Sequence, residues 1–380
     1  MKKLALMDVL DGIKDTRRAR SVIYPLKEVL FIVMVAVICG ATSYSMVEIF
    51  GNSNEEWLKK YLKLEYGIPD ACTFRNIIKQ IATDQLHTAF VDWMKSVVEA
   101  VKGVVAIDGK QARRTKDEEK KPLHVVSAFA SEYRLVLGQL ACEEKSNEIT
   151  AIPKLLDMLE IKGCIVTIDA MGTQTGIAKK IRKKEADYIL ALKANQGKLY
   201  DEVKAHMDEQ MKDADTELKE KGKIENPFYA MVSNRGHGRI ESRECFICED
   251  IEWMENRNRW IDLNGIGVIR STVEKKGRIS VQYHYFIYSC KGMSAAQIMR
   301  YKRDHWAIEN GLHWILDMEF REDESRARKD NSAENLNVLR HIVYNALRNE
   351  NTFRGSIRDK QFRCSLDKAY LEKVIDMLYS

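Results

Sequence analysis

The chain has no stretch able to cross a bilayer as a helix. Its longest uninterrupted apolar run, Val29 to Cys39, falls well short of the roughly 20 residues that a span needs. The same run makes a poor signal peptide: it lies late, follows a mixed-charge stretch and has no convincing small-residue cleavage site. A buried core helix is the better reading. Regular cysteine spacing is missing too. Eight cysteines are scattered over 380 residues, which argues against a disulfide framework and for reduced thiols in a cytoplasm. There is no internal repeat and no low-complexity segment, so solenoid and tail-like architectures are excluded. No Gly-rich phosphate loop occurs, because Gly265-Ile266-Gly267 lacks the strand-turn-helix context. Nor is there a strong charge of one sign. A net charge of +5 permits an acidic partner such as nucleic acid without demanding one.

What remains is an ordinary globular composition, 45% apolar and 31% charged. The length suits two or three domains, or one core with insertions. The first hundred residues read as helical. Pro25 suits the first turn of a helix that runs through the apolar stretch to about Gly40. Val47, Phe50, Trp57, Leu58, Tyr61 and Leu62 continue helical spacing. Gly67 to Asp70 is a turn, with Asp70 or Thr73 as the next cap, and two further helices follow over Phe74–Ile81 and Leu86–Val101. Such a unit suits a DNA-binding module and a module that binds nothing equally well.

The character changes at Gly103. Val104–Ile107 is a short β-rich run that ends in Asp108. Leu123–Phe129 and Arg134–Ala141 read as a hairpin, Glu148–Leu159 as a helix, and Cys164–Ile168 as a second buried strand that ends in Asp169. A basic helix over Thr173–Lys184 and a third buried strand over Tyr188–Leu192 complete a layered α/β pattern. A charged helix spans Leu199 to about Lys223. Phe228–Cys290 is then β-rich, with turns at 236–238, 264–265 and 275–277, and reads as an insertion into the α/β core. The core resumes in a long helix capped by Ser294, whose Ile298, Tyr301, Ile308, Leu312 and Ile315 form one apolar stripe. Glu309 stands at the border of that stripe. Ala333–Leu347 is another amphipathic helix, and the tail from Arg348 is basic and ends in a short helix.

Two buried strands each end in an aspartate, and strand ends at the edge of an α/β sheet are where sites collect. With one helix carboxylate, Asp108 and Asp169 make an oxygen-rich set suited to Mg²⁺ or Mn²⁺. Two such ions can activate a water or a 3′-hydroxyl and stabilise the leaving oxygen in a phosphoryl displacement. Taken singly, each aspartate is as easily a helix cap or turn former. Other candidates are weaker. Cys245 and Cys248 have zinc-like spacing but no second pair, and i and i+3 in a strand point to opposite faces. His305, Glu309 and His313 can be drawn as a metal stripe, though His313 sits among Leu312, Trp314 and Ile315 as a packed histidine would. Arg235, Arg239 and Arg243, near His237, line either a phosphate backbone or a solvated strand face.

At these residues the chain resembles bacterial insertion-sequence transposases of the DDE type, in particular the H-repeat-associated (ISAs-type) group. The resemblance spans almost the whole chain. It rests on Tyr24-Pro25-Leu26 with the apolar helix and Gly40-Ala41, on Ala106-Ile107-Asp108-Gly109-Lys110, and on Thr167-Ile168-Asp169-Ala170-Met171 with Gln174. It rests further on Tyr188 through Lys193 to Asn195-Gln196, on Gly236-His237-Gly238-Arg239 with Glu241 and Arg243, and on His305-Trp306, Ile308-Glu309-Asn310 and Leu312-His313-Trp314 with Leu316-Asp317. It implies a ribonuclease-H-like α/β core, a mixed five-stranded sheet flanked by helices, with an N-terminal helical domain and a β-rich insertion.

The implied bounds are 1–102 for the helical domain, 103–200 and 293–350 for the two parts of the core, 201–292 for the helix and insertion, and 351–380 for the tail. The implied catalytic triad, holding Mg²⁺ or Mn²⁺ as two ions, is Asp108, Asp169 and Glu309. The implied contacts to double-stranded DNA are Lys110, Lys193, Arg235, His237, Arg239, Arg243, Arg303, His305 and His313. The wider superfamily's Tyr-Arg-Glu-Lys signature is met at Tyr301, Arg303 and Glu309 with shifted spacing, and Leu316 stands where its Lys would fall. The expected activity is metal-dependent phosphodiester hydrolysis and strand transfer at insertion-sequence ends, in a bacterial cytoplasm in association with the nucleoid. A homodimer is expected when two ends are bridged. Two other readings stay open on the sequence alone: a non-enzymatic DNA-binding protein derived from a transposase, and a nuclease with the same core but no strand transfer.

Overall fold

The computed structural model describes residues 5–18, 22–98, 101–116, 121–142, 147–224, 226–236 and 238–379. Six helices come first: α1 (Leu6–Leu10), α2 (Leu26–Ile38), α3 (Tyr44–Ser53), α4 (Glu55–Leu58), α5 (Ala71–Ile78) and α6 (Thr83–Val97). The caps follow from local chemistry. Ser43 Oγ accepts from Met46 N at the start of α3, and Asp70 Oδ1 accepts from Thr73 N at 2.6 Å at the start of α5. Every residue of α2 from Val29 to Ile38 is buried. A helix that is apolar all round belongs at the centre of a core, and here α3, α5 and a later helix over Ser332–Asn349 pack on it. No helix among the described residues is long and apolar enough to cross a membrane.

The α/β part runs β1 (Val104–Ala112), β2 (Leu123–Ala130), β3 (Leu135–Cys142), α7 (Glu148–Met158), β4 (Ile165–Ile168), α8 (Thr175–Lys183), β5 (Asp187–Leu192) and α9 (Lys198–Lys221). Four long strands follow: β6 (Tyr229–Gly236), β7 (Arg239–Cys248), β8 (Gly265–Lys275) and β9 (Arg278–Tyr288). Helices then close the chain: α10 (Ala295–His305), α11 (Trp314–Met318), α12 (Ser332–Asn349), α13 (Ile357–Leu366) and α14 (Lys368–Tyr379).

The strand order is β3-β2-β1-β4-β5-β9-β8-β7-β6 in one nine-stranded sheet. The expectation of a five-stranded sheet is therefore corrected. β1 pairs antiparallel with β2 and parallel with β4, and β4 pairs parallel with β5. β5 would be an edge there, with a row of unpaired backbone groups. Instead β9 takes it, antiparallel, from Ile189↔Tyr288 to Leu192↔Tyr285, and β8, β7 and β6 follow by hairpin pairing. The turn between β8 and β9 needs positive φ at two residues, and Lys276 and Gly277 have it, at 50° and 73°. The inner halves of β7 to β9 are buried, while their outer ends and most of β6 are exposed.

The two sheet faces have separate covers. Val105, Ile107, Val166, Ile168 and Leu190 pack under α7, α8 and α9. On the other face, Ile165, Ile189, Ile247, Ile269 and Phe286 pack under Ile298 and Met299 of α10. Cys245 belongs to that second cluster and Cys248 to the first, so they lie on opposite faces and cannot share a zinc ion. All eight cysteines are free thiols. A third cluster joins the N-terminal helices to α12, α13 and α14 and to Ala106, Phe129, Leu135 and Val136 of the sheet. Residues 351–380, expected as a basic tail ending in a short helix, thus include two helices whose Ile357, Tyr370, Leu371, Val374 and Ile375 are core.

Candidate active site

β1 and β4 run parallel in the register Val104↔Ile165 to Ile107↔Ile168. One step beyond that paired stretch stand Asp108 and Asp169. Asp169 follows the end of β4, but Asp108 lies in mid-strand, still paired with Ser127 of β2, so the expectation that the first strand ends there is corrected. Adjacent parallel strands lie about 4.8 Å apart, so equal height on neighbouring strands brings the two carboxylates side by side. Side chains alternate along a strand, so both follow Ala106 and Thr167 onto the face covered by α10. Thr167 Oγ1 lies 2.9 Å from His305 Nδ1, which fastens the end of α10 above β4.

The helix carrying Glu309 is not one regular α-helix. It bends at Trp306, passes through a π-helical turn at Glu309–His313 and continues as α11. A π turn packs one extra residue into a helix and re-aims its side chains. Here it brings His313 Nδ1 to 3.7 Å from Asp108 Oδ2. Tyr344 Oη, from α12, lies 2.9 Å from Gly311 O and so braces the wide turn. Glu309 itself is exposed.

Electrostatics tie the acids together. Burial pushes the Asp108 carboxyl up to about 7, and the nearby charges of Asp169, Glu309 and Glu148 push it the same way. Asp169 Oδ1 accepts from Met171 N at 3.0 Å and Gly172 N at 3.2 Å, which fixes that carboxylate in the turn after β4. Among the described residues, no three His, Cys, Asp or Glu side chains are close enough together to ligate one ion. The chemistry of the donor set nonetheless fits a hard divalent cation. All three candidates are oxygen donors, and a carboxyl whose ionisation is opposed by its surroundings gains from a positive charge beside it.

The other sequence candidates divide by environment. His305 is 6% exposed and burial holds its imidazole down to about 3. His313 is held down to about 4, chiefly by burial and then by Lys110. Both are neutral side chains inside the protein. Lys110 is 10% exposed and lies 2.7 Å from both Asp317 Oδ1 and Glu322 Oε2. Arg243 is tied to Glu241 and lies over the Trp306 ring. Lys193, Arg235, Arg239 and Arg303 are exposed. Arg235 and Arg239 belong to the far ends of β6 and β7, and His237 lies outside the described residues.

Sequence reasoning missed two groups. His124 Nε2 lies 2.6 Å from Glu148 Oε1, both are buried, and the pair fills the space beneath Gly109. A Cβ at position 109 would come within 2.2 Å of Glu148 Oε1 and 2.5 Å of His124 Nε2, so Asp108-Gly109 requires its glycine. The signal was present: His124 shares strand parity with buried Val126 and Ala128, and a buried imidazole needs a partner. The second group is Lys302, with His284 and Trp306. Burial lowers the Lys302 ammonium to about 8 against the pull of Asp169. His284 packs edge-on to Trp306 at 5.6 Å, with Lys302, Lys193 and Arg243 near it. These residues come from β5, β7, β9 and α10, and no sequence spacing joins them.

Asp108 in β1 and Asp169 just after β4, with Glu309 on the helix that follows α10, are oxygen donors of the kind that phosphoryl transfer employs. Residues 99–346 match the family model of the transposase DDE domain, and residues 7–94 match the DDE_Tnp_1-associated model. The chain belongs to this family: it is a DNA transposase of the DDE class, an enzyme that cleaves DNA and transfers strands. Its relatives place it with the H-repeat-associated group. In Escherichia coli K12, the "H repeat-associated putative transposase" YhhI is 36% identical over 99% of this chain and 98% of that protein. YbfD, of the same description, is 38% identical over 66% of this chain and 96% of its own length. Among solved structures, a piggyBac transposase synaptic complex with hairpin DNA aligns over 98% of this chain and 74% of that one, at TM-score 0.42 and 8% identity, a likeness too slight to argue from. The family implies use of a divalent metal.

Proposed function

We propose that Asp108, Asp169 and Glu309 are the catalytic triad of this transposase and hold two Mg²⁺ or Mn²⁺ ions on a ribonuclease-H-like core. The observation that carries this reading is the β1–β4 register, which sets Asp108 and Asp169 side by side, with the π turn of Glu309 bringing His313 to Asp108. When bound, the ions supply charge neutralisation at the phosphate and activation of the attacking oxygen. The rest is positioning by the chain. Asp108 is held within β1, and Asp169, just past β4, is fixed by two backbone N–H groups. The exposed Glu309 closes the set by swinging inward.

Water attacks the phosphodiester at the element end and a 3′-hydroxyl leaves. That hydroxyl then attacks a phosphodiester of the target, joining one strand and releasing another 3′-hydroxyl. Lys193, Arg235, Arg239 and Arg303 meet phosphates from the surface, with Arg243 over Trp306, while Lys302 stands closer to Asp169. His305 and His313 position the turn as neutral side chains, and Lys110 anchors α11.

The helical segment 1–102 and the insertion 201–292 flank a core made of 103–200 and 293–350, with 351–380 closing the helical layer. The protein works on double-stranded DNA in the bacterial cytoplasm, at the nucleoid, as a homodimer that bridges two ends. Glu309→Gln tests the triad. It is expected to abolish Mg²⁺-dependent cleavage of a duplex carrying the gene's own flanks and to leave the melting curve unchanged. A variant that cleaves as well as the parent sinks the assignment.

A further inference from the structure

A cavity of about 780 Å³ opens between α2, α3 and α5, the 321–329 segment and the start of α12. That volume lies within the range of small-molecule sites. Its floor is aliphatic: half-buried Leu336 and the edge of Val37, 8% exposed, face it, with Val33, Val47 and Leu339 packed behind them. Its rim is cationic. Seven Arg and Lys side chains line it against one Glu. Arg75 comes from α5 and Lys79 from its C-cap, and Arg326 and Lys329 come from the 321–329 segment, so the charge converges from separate parts of the chain. Tyr44 is the aromatic member of the lining, and Ser43, Ser45, Ser325 and Ser332 add hydroxyls.

An apolar floor under a polycationic rim takes a ligand with a flat apolar body and negative charges at its ends. The pocket is also wired to the candidate site. Arg340 in its wall lies 3.8 Å from Glu322 Oε1, and Glu322 Oε2 lies 2.7 Å from Lys110 Nζ, two residues from Asp108. We infer that this pocket holds a single unpaired nucleotide of the DNA substrate. The base lies on Val37 and Leu336 beside the Tyr44 ring, and the flanking phosphates lie on Arg75, Lys79, Arg326 and Lys329. The inference rests on the transposase reading for its DNA, but not on the triad. A duplex keeps its bases stacked and offers the rim only phosphates. An unpaired base also offers its faces, and each base so buried strengthens binding independently of sequence.

The test uses the full chain and two probes, a blunt duplex and the same duplex with a short unpaired overhang that carries 2-aminopurine. The overhang is expected to tighten binding roughly tenfold, with a change in 2-aminopurine emission. Ser45→Trp fills the pocket from the exposed face of α3. It is expected to reduce that preference to less than about twofold while blunt-duplex affinity holds. Arg326→Ala, at an exposed rim position, is expected to weaken both probes and to lessen the salt dependence. Equal binding of the two probes by the parent overturns the inference, and so does a preference that survives Ser45→Trp. Cleavage that depends on Glu309 without any overhang preference removes the pocket and leaves the triad. An overhang preference in a protein whose cleavage ignores Glu309→Gln does the reverse.

Discussion

Asp108 stands where ionisation costs stability. Its folded pKa of about 7 lies above the ordinary 3.8, so the folded state holds a proton that the unfolded state has released. The penalty is absent below about pH 4, grows as pH rises through that window and is complete above about 7. Asp108→Asn removes it. Without divalent metal, the variant is expected to be more stable than the parent at pH 8 by about 2 kcal/mol or more, and no more stable at pH 4, in urea titrations at both pH values. Glu322 is the opposite case. Burial opposes its charge, but Lys110 and Arg340 hold its carboxyl down to about 2. Its stabilisation is present above the ordinary 4.5 and is lost as pH falls toward 2. Glu322→Gln leaves buried Lys110 and Arg340 short of a partner and is expected to cost about 3 kcal/mol at pH 7, read from the shift in denaturant midpoint. Asp108 and Asp169 were legible in the sequence because each follows a short β-rich run, Val104–Ile107 and Ile165–Ile168. Glu148 and Lys302 were not, because their importance lies in what folding sets beside them.

At the scale of elements, the apolar stripe Ile298, Ile308, Leu312 correctly marks the buried side of the acidic helix. The spacing 298, 308, 312 fits a regular helix as well as an interrupted one, so the π turn was invisible. It is decided by contacts from outside the helix: His305 to Thr167, Tyr344 to Gly311 and His313 beside Asp108. Deleting Asn310, which is exposed, removes the extra residue and lets the helix rejoin in α-helical phase. Glu309 then turns by about 100° relative to the residues after it. The expected result is unchanged helical content by circular dichroism with loss of Mn²⁺ binding by calorimetry. Retained binding refutes a role for the turn in aiming Glu309. The expected insertion was legible from its alternation and turns. That it extends the same sheet was not, because pairing β9 with β5 is a contact between residues some hundred positions apart.

At the scale of the molecule, the two ends of the chain share one core. Gln361 Nε2 donates to Val37 O at 3.0 Å, and Lys360 Nζ to Leu347 O at 2.8 Å, so α13 and α14 close over α2 and α12. Removing residues 351–380 uncovers α2, whose middle is apolar on every side. The shortened chain is expected to partition into the insoluble fraction, or to melt without a cooperative transition, and a sharp melt near the parent's would show the last helices to be dispensable. Hydrophobic period, caps and turn residues act over a few neighbours, and so the sequence by itself determined the order of helices and strands, the two aspartates after β-rich runs and the glutamate stripe. Register, the joining of the insertion to the sheet, the His124–Glu148 pair under Gly109 and the cationic pocket were decided only by the tertiary structure. Each of these depends on which distant groups are desolvated together, and that energy exists only once the chain has folded.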